Sequence, residues 1–260
     1  MKPRILLTND DGIQSPGLEG LLAELACIGQ VTVVAPEGER SGASHSLTLH
    51  RPLRLRNLHS DRFSLDGTPT DCIQMGLTRI LNARPDLVVS GVNAGSNVGE
   101  DVTYSGTVAA AFEATLYGIP AFSISLKSSS TPENYTPAAS FARVLAGRIL
   151  REGLPDGVFL NVNIPAGAVR GIRWTRQGRR VVSLSPANSG PSGNGKYLWI
   201  QRNTGSWRPD PDADFLALQQ GMISITPLRV DWTHNHQDGA QVPRWKFSVP
   251  GIDLESKHGL

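Results

Sequence analysis

The stretch Ile5-Leu6-Leu7-Thr8-Asn9-Asp10-Asp11-Gly12 decides the fold. A short apolar run that stops abruptly in polar turn residues is how a buried parallel strand meets its carboxyl end. After the Gly/Pro turn from Gly12 to Pro16, Leu18, Leu21, Leu22 and Leu25 fall on one face of a helix that runs to about Cys27. Val31 to Ala35 is then a second, β-branched strand. Strand, helix and strand in this succession make a βαβ unit.

The alternation continues outward. Asp86 to Val89, Ala121 to Leu126 and Val158 to Ile164 read as strands. Val108, Phe112 and Leu116 mark one helix and Ala138 to Leu150 another. Thr68-Pro69-Thr70-Asp71 reads as a helix start ahead of Cys72, Met75 and Ile80, with Thr68 as cap, Pro69 in the first turn and Asp71 as the capping-box acid. Leu47, Leu49, Leu53 and Leu55 share one parity, which suits an extended or hairpin excursion. The fold class that follows is α/β, a Rossmann-like, mostly parallel sheet flanked by helices. Beyond Gly178 the pattern loosens: residues 183–194 are rich in Gly, Pro and Ser, residues 196–201 and 222–226 read as strands, and 207–214 reads as an acidic, proline-broken loop.

Composition narrows the function. The 260 residues suit one or two soluble domains, and 27 glycines with 18 prolines indicate a loop-rich chain. With 25 Lys and Arg against 23 Asp and Glu there is no charge-driven partner, so neither a nucleic-acid duplex nor a membrane is expected. Two cysteines, Cys27 and Cys72, exclude a disulfide scaffold and a Cys-rich zinc site and fit a cytoplasmic location. The basic start Met1-Lys2-Pro3-Arg4 is not a leader, because Thr8 to Asp11 ends the apolar run at once.

In an open parallel sheet, ligands bind beyond the carboxyl ends of the strands. Three strand exits would share one rim there: Asn9-Asp10-Asp11-Gly12, the segment through Arg40-Ser41-Gly42, and Ser90 to Gly99. They bring carboxylates, a hydroxyl and amide carbonyls, hard donors suited to Mg²⁺ or Mn²⁺. Asn-Asp-Asp-Gly is also good turn composition, and Ser41 is an ordinary loop residue, so spacing alone leaves both readings open. The order of glycines at 91, 95 and 99 lacks the dinucleotide fingerprint and the lysine of a P-loop. Tyr104-Ser105-Gly106-Thr107 precedes a helix, where amides and hydroxyls at the positive end make a phosphate cradle or a plain N-cap.

Together these loops closely resemble the SurE (survival protein E) family of metal-dependent nucleoside-monophosphate phosphatases. The motifs run in order through Gly67-Thr68-Pro69-Thr70-Asp71-Cys72, Val89-Ser90-Gly91-Val92-Asn93, Asn161-Val162-Asn163-Ile164-Pro165, Thr175-Arg176-Gln177 and Gly221 to Pro227. The resemblance implies hydrolysis of nucleoside 5′- and 3′-monophosphates, and of short polyphosphate, by one divalent ion per subunit. It implies Asp10, Asp11, Ser41 and Asn93 as metal ligands, Asp10 and Asp11 as the catalytic pair, and Asn97, Ser105, Gly106 and Thr107 as phosphate contacts. Where the family usually has Gly-Pro-Asn this chain has Gly95-Ser96-Asn97, which loosens the turn and costs no ligand. It further implies a homodimer or homotetramer. The chain is expected to be one domain over 1–260, with about 178–230 projecting as an arm for oligomerisation and 243–260 a disordered tail.

Other readings are a nucleotide-binding module that senses without hydrolysing, and an aspartyl phosphatase of the haloacid-dehalogenase kind, which needs Asp-x-Asp rather than Asp10-Asp11. Activated water is preferred over Asp10 as nucleophile. His45 reads as a solvated loop histidine or as proton donor to the leaving oxygen. His234 and His236 lack a third metal ligand. Trp199, Trp207 and Trp232 are rings for packing at a subunit contact or for stacking on a base.

Overall fold

A computed structural model describes residues 2–127, 134–181 and 206–233. Nine strands form one sheet: β1 (Arg4–Thr8), β2 (Gln30–Pro36), β3 (Leu55–His59), β4 (Arg62–Leu65), β5 (Leu87–Ala94), β6 (Ala121–Leu126), β7 (Val158–Ile164), β8 (Gly171–Trp174) and β9 (Met222–Arg229), in the order β3-β4-β2-β1-β5-β6-β7-β9-β8. From β4 through β7 all neighbours are parallel, while β3 and β9 run antiparallel to β4 and β7. The connection from β1 winds outward through β2 and β4, and the chain then returns to lay β5 on the other side of β1. That reversal is the topological switch point.

The period of two along the strands sorts side chains into two cores. Ile5, Leu7, Val31, Val33, Val89 and Phe122 meet α1 (Pro16–Leu25) and α4 (Thr136–Glu152) on one face. Leu6, Val34, Val88, Ala121 and Phe159 meet α2 (Pro69–Met75) and α3 (Gly106–Leu116) on the other. The predicted leucine face of α1 is the buried one for Leu18, Leu21 and Leu25. In α3 the stripe differs from expectation: Val108 is buried, but Leu116 is 53% exposed, and small residues such as Ala110, Ala111 and Ala114 carry the packing. Positions i, i+4 and i+8 drift around a 3.6-residue helix, whereas alanines let the helix lie close on the sheet.

Thr68 and Asp71 form the expected capping box, with Asp71 N–H donating to Thr68 Oγ1 at 3.1 Å and Thr68 N–H to Asp71 Oδ2 at 2.8 Å. The α-helix stops at Met75 and widens into a π-turn over Gly76–Ile80. The extended segment predicted over Leu47 to Leu55 lies almost wholly outside the strands; the hairpin follows it as β3 and β4. β3 is exposed along its whole length, so it carries no alternation for a sequence reading to detect.

Two features mark the later chain. Within the stretch of about 178–230 expected as an arm, the described residues include α5 (Asp214–Gln219), which packs on the fold, and β9, which lies inside the sheet between β7 and β8. The buried row Ile223, Ser224, Ile225 and Thr226 is what draws β9 inward. The chain also divides into a unit over Met1–Val230 and a second over Asp231–Leu260. The strand predicted at 196–201, Trp199, His234, His236 and the tail 243–260 lie outside the described residues.

Candidate active site

The first rim loop is closed by Asn9, whose Nδ2 donates to Gly12 O at 2.9 Å and to Ser15 Oγ at 2.7 Å. Gly12 turns the chain at φ +103°, a conformation that L side chains rarely adopt, and brings it against Gly38 of the second loop. Arg40 N–H then donates to Asp10 O at 2.7 Å, which ties the Ser41 loop to the exit of β1. The third loop begins inside a strand. β5 runs on to Ala94, and its pairing with β6 slips between Ser90 and Asn93. One extra residue there resets the side-chain parity and sets Asn93 at the cavity.

That cavity, of about 370 Å³, is lined by Asp10, Ser41, Asn93, Asn97, Tyr104 and Ser105 among others. It lies at the switch point between β1 and β5, so the expectation that three rim loops converge holds. Asp11 is outside the lining but adjoins it, accepting Ala94 N–H at 3.2 Å at the end of β5. Asn93 Nδ2 donates to Gly95 O at 2.7 Å, which leaves its Oδ1 for a ligand. Ser41 is exposed and its hydroxyl donates to Glu39 at 2.9 Å, an arrangement that keeps the oxygen lone pairs available.

Asp10 is 3% exposed, and among the described residues no Lys, Arg or His pairs with it. Burial pushes its carboxyl above the ordinary value, against the Thr107 hydroxyl and amide that pull it down, and the negative charge of Glu39 adds to the rise. A desolvated anion open to a cavity calls for a cation. No three His, Cys, Asp or Glu side chains gather as a metal site among the described residues. A cation would therefore take the amide oxygen of Asn93 and the hydroxyl of Ser41 beside the aspartates, a donor set that fits a hard divalent ion.

The other side of the cavity is the start of α3. Ser105 Oγ accepts from Val108 N–H at 3.1 Å, so the N-cap is real, and the same hydroxyl keeps its hydrogen for an anion. A Cβ on Gly106 would lie 3.0 Å from Pro69 Cγ and 3.1 Å from Asp10 Cβ, so only glycine lets the helix end approach this closely. Thr107 is another residue expected at the phosphate. It is fully buried, its hydroxyl donates to Asp10 Oδ1, and its amide also favours that carboxylate.

Asn97 is held by partners that the sequence reading did not assign to it. Its N–H donates to Asn163 Oδ1 at 2.8 Å, and its carbonyl accepts from Asn161 and Asn163 at 2.8 and 3.0 Å. Its Nδ2 donates to Ser125 at 2.9 Å and has a second hydrogen left for the cavity. Asparagines two apart in an otherwise apolar strand were the available signal, since buried amides must find partners. Likewise Asp214 accepts the N–H groups of Gly99 and Gly178 at 2.8 and 3.0 Å and anchors the end of the third loop. Trp207, expected at a subunit contact or on a base, stacks on Phe215 of the same chain at 4.2 Å under Arg180.

His45, a surface residue in the loop after Ser41, pairs with an acid of α3 that the sequence reading did not assign to it. Its Nε2 lies 2.5 Å from Oε2 of buried Glu113, whose other oxygen accepts from Gln74 at 3.0 Å. Burial pushes the Glu113 carboxyl up, but hydrogen bonds from His45 and Gln74 and the charge of His45 outweigh it, leaving the group below its ordinary value. The stability held by ionised Glu113 is therefore full above the ordinary value of 4.5 and is lost as pH falls toward the lowered one. Melting temperatures between about pH 3 and 6 should fall more steeply in the wild type than in Glu113→Gln; parallel curves would refute the link.

A doubly wound sheet with acids, amides and a helix N-terminus around one cavity at its switch point defines an α/β protein built to hold an anionic ligand. The model for survival protein SurE matches residues 5–183. The chain belongs to the SurE family. Similar relatives include the 5′-nucleotidase SurE of Geotalea uraniireducens, 45% identical over 248 residues, or 94% of this chain and 100% of that one. That of Syntrophotalea carbinolica is 46% identical over 246 residues, 94% of this chain and 98% of the relative. The crystal structure of the SurE protein from Aquifex aeolicus superposes with a TM-score of 0.80 at 38% identity, covering 90% of this chain and 96% of that one. No helix among the described residues is long and apolar enough to cross a membrane.

Proposed function

We propose that the chain is a metal-dependent phosphomonoesterase that hydrolyses nucleoside 5′-monophosphates to nucleoside and phosphate, and that acts on 3′-monophosphates and short polyphosphate as well. The observation that carries this reading is the buried Asp10 carboxylate, without a basic partner among the described residues, in a cavity shared with the N-cap of α3. Asp10, Asp11, Ser41 and Asn93 hold one Mg²⁺ or Mn²⁺ per subunit. When bound, the ion draws charge from the phosphoryl oxygens and lowers the pKa of water.

The phosphate rests on Asn97, on the Ser105 hydroxyl and on the amides from Gly106 at the positive end of α3. Those donors are fixed before substrate arrives, so they stabilise charge that develops on the equatorial oxygens. Thr107, at the same helix end, also holds Asp10 in place through its hydroxyl. It occupies Oδ1 of Asp10, and the remaining carboxylate oxygen is needed for the ion, which favours water as nucleophile. The protein works in the cytoplasm as a homodimer or homotetramer; exposed Leu55 and Leu58 on the edge strand β3 support self-association.

The test is phosphate release from a panel of 5′- and 3′-mononucleotides, with EDTA, Mg²⁺, Mn²⁺ and Zn²⁺ in parallel. Release should stop in EDTA and return with Mg²⁺ or Mn²⁺. Turnover that survives EDTA sinks the metal, and tight nucleotide binding without release leaves a sensing module.

A further inference from the structure

We propose that Tyr104 is the platform on which the nucleobase stacks, and hence the residue that makes this cavity select nucleotides over phosphate esters that lack a base. The proposal rests on the phosphatase reading above. Among the described residues Tyr104 is the one aromatic side chain in the cavity lining, and it is 58% exposed. Described rings nearby are engaged elsewhere: Trp207 lies on Phe215, and His45 stands edge-on to Phe112 at 4.8 Å. Among the described residues Tyr104 makes no ring contact of that kind.

Its backbone is fixed from two sides. Tyr104 N–H donates to Asp101 O at 3.1 Å, and its carbonyl accepts from Ser44 N–H at 3.1 Å. Ser44 Oγ also donates to Thr103 O at 2.7 Å, so the loop that carries Ser41 is pinned to the segment that carries the ring. A platform so anchored loses little entropy when a base lands on it, which is why rigid aromatics make good contact surfaces. Tyr104 directly precedes the Ser105 cap, with consecutive Cα atoms about 3.8 Å apart. A phosphate on the helix end and a base on the ring would thus rest on neighbouring residues of one cavity wall. The cavity volume of about 370 Å³ falls in the range of small-ligand sites.

Stacking on an aromatic ring needs a π-face and no particular hydrogen-bond pattern, so this platform prefers bases in general and purines over pyrimidines by area. The experiment compares kcat/KM for AMP, CMP and ribose 5-phosphate in wild type, Tyr104→Ala and Tyr104→Phe. In Tyr104→Ala the ratio of AMP to ribose 5-phosphate should fall about tenfold, mostly through KM, and CMP should fall less. Tyr104→Phe, which keeps the ring and drops the hydroxyl, should retain the wild-type ratio. An unchanged ratio in Tyr104→Ala, or an equal loss on both esters, overturns the proposal. Failure of the phosphatase reading is distinguishable, because the wild type would then release no phosphate from any of the three. Calorimetric binding of AMP against ribose 5-phosphate still reads the stack in that case: a tenfold weaker relative affinity in Tyr104→Ala supports it and an equal one refutes it.

Discussion

Asp10→Asn is expected to lower phosphate release by about 10³-fold while the chain stays folded. The size follows from removing one negative donor from a hard-cation site, where several kcal/mol of charge stabilisation in the transition state are at stake. The fold should tolerate the change because the asparagine oxygen can still accept from Thr107 and the volume is conserved. Without metal the variant should be as stable as the wild type or more so. Burial disfavours the charged carboxyl of Asp10, so replacing it with a neutral amide removes a desolvation cost. Stopped-time phosphate assays with metal and thermal melts in EDTA measure the two halves. A near-normal rate would show that Asp10 is not at the chemistry; a collapse of the melt would show that it is a structural acid.

Gly106→Ala should cost about 10²-fold in kcat. The added methyl meets Pro69 at 3.0 Å and Asp10 at 3.1 Å, so α3 or the Asp10 turn must give by a few tenths of an ångström. Displacements of that kind at a reacting centre carry losses on this scale. Stability moves less, because two effects oppose each other. Alanine gains up to about 1 kcal/mol over glycine in a helix, while overpacking a closed contact costs about 1–3 kcal/mol. The net expectation is a loss of about 0–2 kcal/mol by denaturant titration, small beside the kinetic effect. A fully active Gly106→Ala would mean that the helix end does not need its close approach to Asp10.

The metal-side candidates were legible because a strand exit is a local event. An apolar run followed by Asn9-Asp10-Asp11-Gly12 needs no tertiary information to read as a turn at the carboxyl end of a parallel strand. The same holds for the capping box at Thr68 and for the N-cap at Ser105, whose partners lie three residues away. Thr107 was assigned to phosphate because it stands in the same helix start as Ser105. Its hydroxyl is held by Asp10, 97 residues earlier, and no periodicity reports which of the two hydroxyls turns toward the sheet. The pairing of His45 was hidden for the same reason, since Glu113 lies 68 residues on.

By itself the sequence determined the βαβ alternation, the parallel sheet, and the rim loops that bear Asp10, Ser41 and Asn93. It did so because hydrophobic period and turn chemistry act over a few residues. Only the tertiary structure decided which groups those loops lean on: Asn97 on Asn161 and Asn163, the Gly99 turn on Asp214, and Tyr104 as the ring left facing the cavity. Those choices depend on which strands become neighbours and how closely a helix end can approach. Buried polar groups then take whatever partner the packing brings within reach.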